Sequence, residues 1–128
     1  MATRNYLQDK GYDAAGALTK FRAVKLTAEE TVNVVTAVTD VIAGIVQFDV
    51  SAAEILKGKG AVVAIEGDSE MEASEAIAAG QLVEITANGR AAVGGGQGAR
   101  VIGHCVEPAG AAGERIRVHL NLPGTILA

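Results

Sequence analysis

Residues 115–122 alternate without exception. Ile116, Val118, Leu120 and Leu122 share one parity, and Arg115, Arg117, His119 and Asn121 share the other. Period-two patterning of this length defines an antiparallel strand with one face on a core and the other in solvent. Upstream, residues 101–106 are apolar on both parities, as a more central strand should be, and the Gly/Ala-rich stretch 108–113 between the two is a turn. The pair is a hairpin, predicted to put Ile116, Val118 and Leu120 inside and Arg115, Arg117 and His119 outside.

The same signals recur along the chain. Strands are predicted over 21–26, 31–38, 41–50, 61–66, 70–74, 81–86 and 90–93, separated by turns at 27–30, 39–40, 67–68 and 76–80. Asn88-Gly89 suggests a type I′ hairpin turn, in which both central residues take positive φ. Ser51 followed three residues on by Glu54 has the form of a capping box, opening one helical turn that ends at Gly58 and needs the sheet for support. Strand pairs 41–46 with 60–65 and 101–106 with 113–118 echo one another, which would suit a pseudo-symmetric closed barrel; chance recurrence of the abundant Gly and Val is the competing reading. Eight to ten short strands predict an all-β fold, a small single-domain β-barrel or sandwich of antiparallel strands with an extended N-terminal arm.

At 128 residues and 13.0 kDa the chain fits one domain able to bury a core without staples. The divisions expected are an arm at 1–19, a β-domain at 20–122 and a tail at 123–128. The arm carries Tyr6, Leu7, Tyr12 and Leu18, apolar anchors for a neighbouring subunit; a frayed terminus is the competing reading. A net charge of -4 and a pI near 5.1 argue against a nucleic-acid binder, whose affinity rests on Lys and Arg. No apolar run approaches bilayer length and the N-terminus lacks a signal-peptide core, so no membrane association and intracellular synthesis are expected. Aromatics make up 3% of residues, leaving little from which to build a sugar or base platform.

Candidate chemistry is sparse. The loop Gly94-Gly-Gly-Gln-Gly-Ala-Arg100 fails the dinucleotide fingerprint, because Ala99 stands where its last glycine is needed, and no P-loop lysine is present. The lone cysteine, Cys105, reads as a buried filler facing away from His104. His104 and His119 supply two nitrogens on neighbouring strands, short of the three or four ligands of a zinc site, so no metal and no cofactor are predicted. Glu70, Glu72 and Glu75 read as a solvated strand edge that repels unwanted pairing. Glu70-Met-Glu72 also resembles the hairpin tip of biotin- and lipoyl-carrier domains, with glutamate in place of the attachable lysine. Neither a G-x-S-x-G elbow nor an activated nucleophile is apparent, and no enzymatic role is expected.

Three stretches carry a family resemblance: 40–46 (Asp-Val-Ile-Ala-Gly-Ile-Val), 76–92, and 98–109 through 113–120. Over residues 20–122 the chain resembles the capsid cement, or head decoration, proteins of tailed bacteriophages. It departs from them at His104-Cys105, where aliphatics would be more typical. The resemblance implies a noncatalytic virion protein on the outer capsid surface that binds and stabilises the major capsid protein and self-associates as a homotrimer. Tyr6, Leu7, Tyr12, Leu18, Arg115 and Arg117 are the candidate partner contacts. A small-molecule or glycan-binding β-module, marked by an aromatic-lined pocket, and a noncatalytic β-domain of a larger enzyme are the alternatives.

Overall fold

A computed structural model of the chain describes residues 7–38, 40–94 and 100–126. Nine strands and one short helix follow in the order β1 (Leu7–Ala14), β2 (Ala23–Ala28), β3 (Thr31–Val34), β4 (Ile42–Val46), α1 (Ala52–Leu56), β5 (Ala61–Glu72), β6 (Leu82–Ile85), β7 (Ala91–Val93), β8 (Arg100–Glu107) and β9 (Arg115–Ile126). One continuous sheet runs β1-β3-β2-β4-β5-β9-β8-β6-β7, and β1 also pairs with β5. The first five strands in that order therefore close into a barrel, and the last four extend from β5 as a second layer. All pairings are antiparallel except β1 with β3.

The long strand β5 joins the two layers. Residues expected to form two strands about a turn at Gly67-Asp68 run instead as one strand of 12 residues. The physical reason is that Gly67 lies between neighbours on both edges, Leu7 of β1 and Leu120 of β9. Its φ of 93° coils the strand from one layer into the next without ending it, a conformation that costs glycine little. Bulges in the β1–β5, β2–β3 and β2–β4 ladders supply the remaining curvature needed for closure.

Two cores result. Leu18, Val24, Val32, Val46, Val50, Ala61 and Val63 fill the barrel. Ile42, Ile45, Ala64, Met71, Ile77, Val83, Ile85, Ile102, Ile116, Val118 and Leu120 belong to the core between barrel wall and second layer. Strands β4 and β5 serve both, which explains their apolar residues on both parities: Val63 points into one core and Ala64 into the other. Ser69 is the one buried polar side chain among the described residues. Its Oγ donates to the Glu70 carbonyl at 3.0 Å and accepts from Gln47 Nε2 at 3.0 Å, so its burial carries no unpaired group.

The hairpin assignment holds in detail: Ile116, Val118 and Leu120 are 1%, 0% and 3% exposed, with Arg115 and His119 outside and Arg117 half-buried. The capping box is present, with Ser51 Oγ accepting from the Glu54 amide and Glu54 accepting from the Ser51 amide. The helix it opens rests on the barrel through Ile55. The Asn88-Gly89 turn differs from expectation. Only Gly89 takes positive φ, and Thr86 and Arg90 close a three-residue loop. This is the geometry of a type I turn followed by a left-handed glycine. A side chain on Gly89 would meet the Ala23 carbonyl, which is where this turn docks.

The echoed strand pairs are antiparallel neighbours, β4 with β5 and β8 with β9. Only the first pair belongs to the closed barrel. The expected arm and the expected tail each contribute strand to the sheet. Residues 7–14 are a stave of the barrel, and β9 continues to Ile126.

Candidate functional site

The outer face of the second layer is built of cross-strand rungs. Leu82 of β6 stands opposite His104 of β8, His104 opposite His119 of β9, and His119 opposite Asp68 of β5. Asp68 Oδ1 lies 2.7 Å from His119 Nδ1, and the two imidazole rings are 5.3 Å apart. The next rung joins Glu70, Arg117 and Glu107, with Arg117 Nε donating to Glu107 Oε1 at 3.1 Å. Beyond it Glu72 faces Arg115, whose guanidinium lies 4.5 Å over the Phe21 ring. Phe21 itself takes a φ of 64°, unusual for a bulky residue, at the junction of the layers. Its N–H donates to the Val46 carbonyl and its carbonyl accepts from the Glu72 amide.

Of the acidic cluster read as a solvated edge, Glu70 and Glu72 are half-buried on an interior strand, and only Glu75 is exposed. β5 is interior to the sheet and Met71 is fully buried. The Glu72 carboxylate meets two cations, Arg22 at 3.3 Å and Arg90 at 2.8 Å. The Arg90 Nε contact is too bent for a hydrogen bond, so charge attraction holds the buried nitrogen while Nη2 donates to the Ala73 carbonyl. Glu75 accepts from the Val93 amide, covering the outer strand β7. None of these partnerships is visible in sequence, because the partners lie 17 to 50 residues apart.

The other predicted contacts do not converge on this face. Tyr6 and the Leu7 side chain lie outside the described residues. Leu18 is 4% exposed within the barrel core, and its backbone pairs with Val50. It anchors the chain's own fold, which overturns its reading as a docking residue. Tyr12 is half-buried against the same core, with Lys10 Nζ 5.0 Å from its ring. Arg115 and Arg117 do share the outer face of β9.

Sequence reasoning missed the exposed apolar side chains. Leu26 and Val41 lie one step beyond the paired residues Lys25 and Ile42, 50% and 58% exposed. Val38, Phe48, Leu82 and Val106 are also exposed, and Leu56 at the end of α1 is 89% so. A one-turn helix can seat only one side of itself, and Ile55 takes that side. Cys105 is buried with its thiol donating to the Glu107 carbonyl, and burial pushes its pKa up. Concavities on the barrel and second layer are shallow; the one bordered by Gly11, Tyr12, Glu30 and Val62 has a single aromatic. No helix among the described residues is long and apolar enough to cross a membrane.

These features define a rigid β-scaffold whose polar groups are largely paired with one another and whose apolar side chains project at several rims. The sequence matches the model of the phage cement protein family over residues 14–120, and the chain belongs to that family. The fold is similar to the crystal structure of the head fiber gp8.5 N base in bacteriophage phi29. That likeness has a TM-score of 0.66 at 15% identity and covers 94% of this chain and 98% of that one. No curated protein matches the chain. It is a capsid decoration protein by family, all-β by structure.

Proposed function

We propose that the chain docks on the outer surface of the major capsid shell, bridges neighbouring capsid subunits and strengthens the shell without any catalytic step. Self-association as a homotrimer belongs to the same reading. The observation that carries it is the set of exposed apolar side chains on rigid supports, Leu26 and Val41 at one barrel rim and Leu56 at the end of α1. Isolated exposed leucines are ordinary. Here they coincide with membership of the phage cement family. Repeated by shell symmetry, modest apolar contacts of this kind add up without a deep pocket. Arg115, exposed beside Phe21, adds a cation for an acidic partner surface.

The test is co-sedimentation of the full chain with undecorated capsids. Leu26→Ser with Val41→Ser, Leu56→Ser and Arg115→Ser are compared with wild type, and light scattering gives the oligomeric state. Saturable binding weakened at least tenfold by one of these changes, with folding intact, supports the reading. Absence of binding by the wild type contradicts it.

A further inference from the structure

The histidine rung was short of ligands when read as sequence, yet its ring spacing is one that a shared metal ion could bridge. His104 and His119 are directly opposed on β8 and β9, and both are exposed. Their ring centroids are 5.3 Å apart and the rings are tilted by 43°. An imidazole nitrogen binds zinc at about 2.0–2.1 Å and lies ~1.1 Å from its ring centre, so each centroid stands ~3.2 Å from a bound ion. At a tetrahedral angle the two centroids would then be ~5.2 Å apart. The observed spacing matches this, so rotation of the side chains alone can turn the two nitrogens toward one ion.

Asp68 supplies a second, independent feature. Its Oδ1 sits 2.7 Å from His119 Nδ1, an arrangement in which the Nδ1–H donates to the carboxylate and the Nε2 lone pair is left for a ligand. A carboxylate behind a histidine is the usual support of a metal-binding imidazole, fixing its tautomer and raising its basicity. The surroundings favour a cation as well. Glu66, Asp68, Glu70 and Glu107 lie on this rung or the two beside it, and Arg117, the basic residue among them, is paired with Glu107. Cys105 contributes nothing here, since its thiol is buried and donates to the Glu107 carbonyl.

We propose that His104 and His119, with Asp68 as the orienting carboxylate, bind one divalent transition-metal ion and so clip β8 to β9. No third His, Cys, Asp or Glu converges on them among the described residues, so water completes the coordination. Imidazole nitrogen selects Zn²⁺, Ni²⁺ or Cu²⁺ over the oxygen-seeking Mg²⁺ and Ca²⁺. An ion that binds the folded hairpin and not the unfolded chain raises the melting temperature by mass action.

The test titrates the full chain with ZnCl₂, NiCl₂ or MgCl₂ at pH 7.5 by calorimetry and follows thermal melting at 1 mM of each. The chain has two histidines in all, so His104→Ala and His119→Ala each halve the nitrogen set. His104→Gln serves as a conservative second variant, with circular dichroism confirming the fold. The expected result is one ion per chain for Zn²⁺ and Ni²⁺ and an upward shift in melting temperature. Each histidine variant should weaken binding at least tenfold, and Asp68→Ala about tenfold. With Cu²⁺, electron paramagnetic resonance should show two nitrogen ligands in the wild type and one in His104→Gln. Absence of saturable binding by the wild type, equal affinity in wild type and His104→Gln, or an equal melting shift with MgCl₂ would each overturn the proposal.

Discussion

Replacing Val118 by Asp places a carboxyl where the structure offers it nothing. Val118 is fully buried, with Ser69 of β5 on one side and Cys105 of β8 on the other. Both neighbours already use their polar hydrogens, Ser69 on the Glu70 carbonyl and Cys105 on the Glu107 carbonyl. Three costs add. Losing the buried valine forfeits about 1.5–3 kcal/mol. Holding an aspartic acid of ordinary pKa neutral at pH 7 costs about 4 kcal/mol. An unpartnered carboxyl group costs about 1–3 kcal/mol more. The total, roughly 7–10 kcal/mol, rivals the whole stability of a 128-residue domain, about 6–19 kcal/mol.

The same reasoning fixes a pH dependence. In the folded variant the new carboxyl has a pKa raised above its unfolded value. The deficit is therefore full at neutral pH and shrinks as pH falls toward the unfolded pKa. Between pH 7 and pH 5 the variant should recover about 2.7 kcal/mol relative to wild type. Val118→Asn, similar in shape but without a titrating proton, should recover none. Arg117→Ser is the outward control. Its ion pair is with Glu107, whose side chain is 66% exposed, so its loss should cost no more than about 1 kcal/mol. Urea unfolding followed by circular dichroism at both pH values measures all four proteins. If Val118→Asp were no less stable than Arg117→Ser, or if it and Val118→Asn responded alike to pH, the face assignment would be wrong and the strand register would shift by one residue.

Other outcomes follow from local geometry. Gly103→Ala should abolish or severely reduce soluble folding, because a Cβ there would collide with the His119 carbonyl oxygen of the facing strand; expression and circular dichroism check it. Glu30→Gly should raise stability by about 0.5–1 kcal/mol in urea titration, since Glu30 holds a φ of 53° and its ion pair with Lys10 is exposed. Deleting residues 1–19 removes the stave β1 and the core residue Leu18, so the remainder should lose its cooperative thermal transition. In acid, two carboxylates should loosen their contacts. Backbone N–H donation from Thr36, then from Ala37, and the Lys25 ammonium lower the Asp40 pKa, and the Lys59 and Ser51 contacts hold Glu54 at about 2. Folded values below the unfolded ones mean that this stabilisation is complete above about pH 4.5 and is lost as pH falls through the folded values. Amide exchange at Thr36 and Glu54 against pH, with Asp40→Asn for comparison, reads it.

What was legible in the sequence was whatever local spacing encodes. The alternation of 115–120 placed Ile116, Val118 and Leu120 in the core, and Ser51 with Glu54 located the helix α1. What was hidden depends on partners far along the chain. Gly67 looked like a turn because glycine in isolation favours one; its neighbours Leu7 and Leu120 keep it in a strand. Glu72 looked solvated because Arg22 and Arg90 are distant in sequence. Leu18 looked like a free anchor because nothing local reveals that Val50 closes over it. The exposed Leu56 resembles any core leucine until α1 is seen to be too short to bury it.

The central claim, that this chain strengthens a capsid by docking across its subunits, is most directly tested on the shell itself. Purified capsids lacking the protein should be decorated to saturation with wild type or with the Leu56→Ser chain, and their disruption temperature measured by calorimetry. The account predicts that wild-type decoration raises that temperature and that the increment falls in step with lost occupancy for the variant. Capsids bound at full occupancy yet disrupted at the undecorated temperature would contradict it.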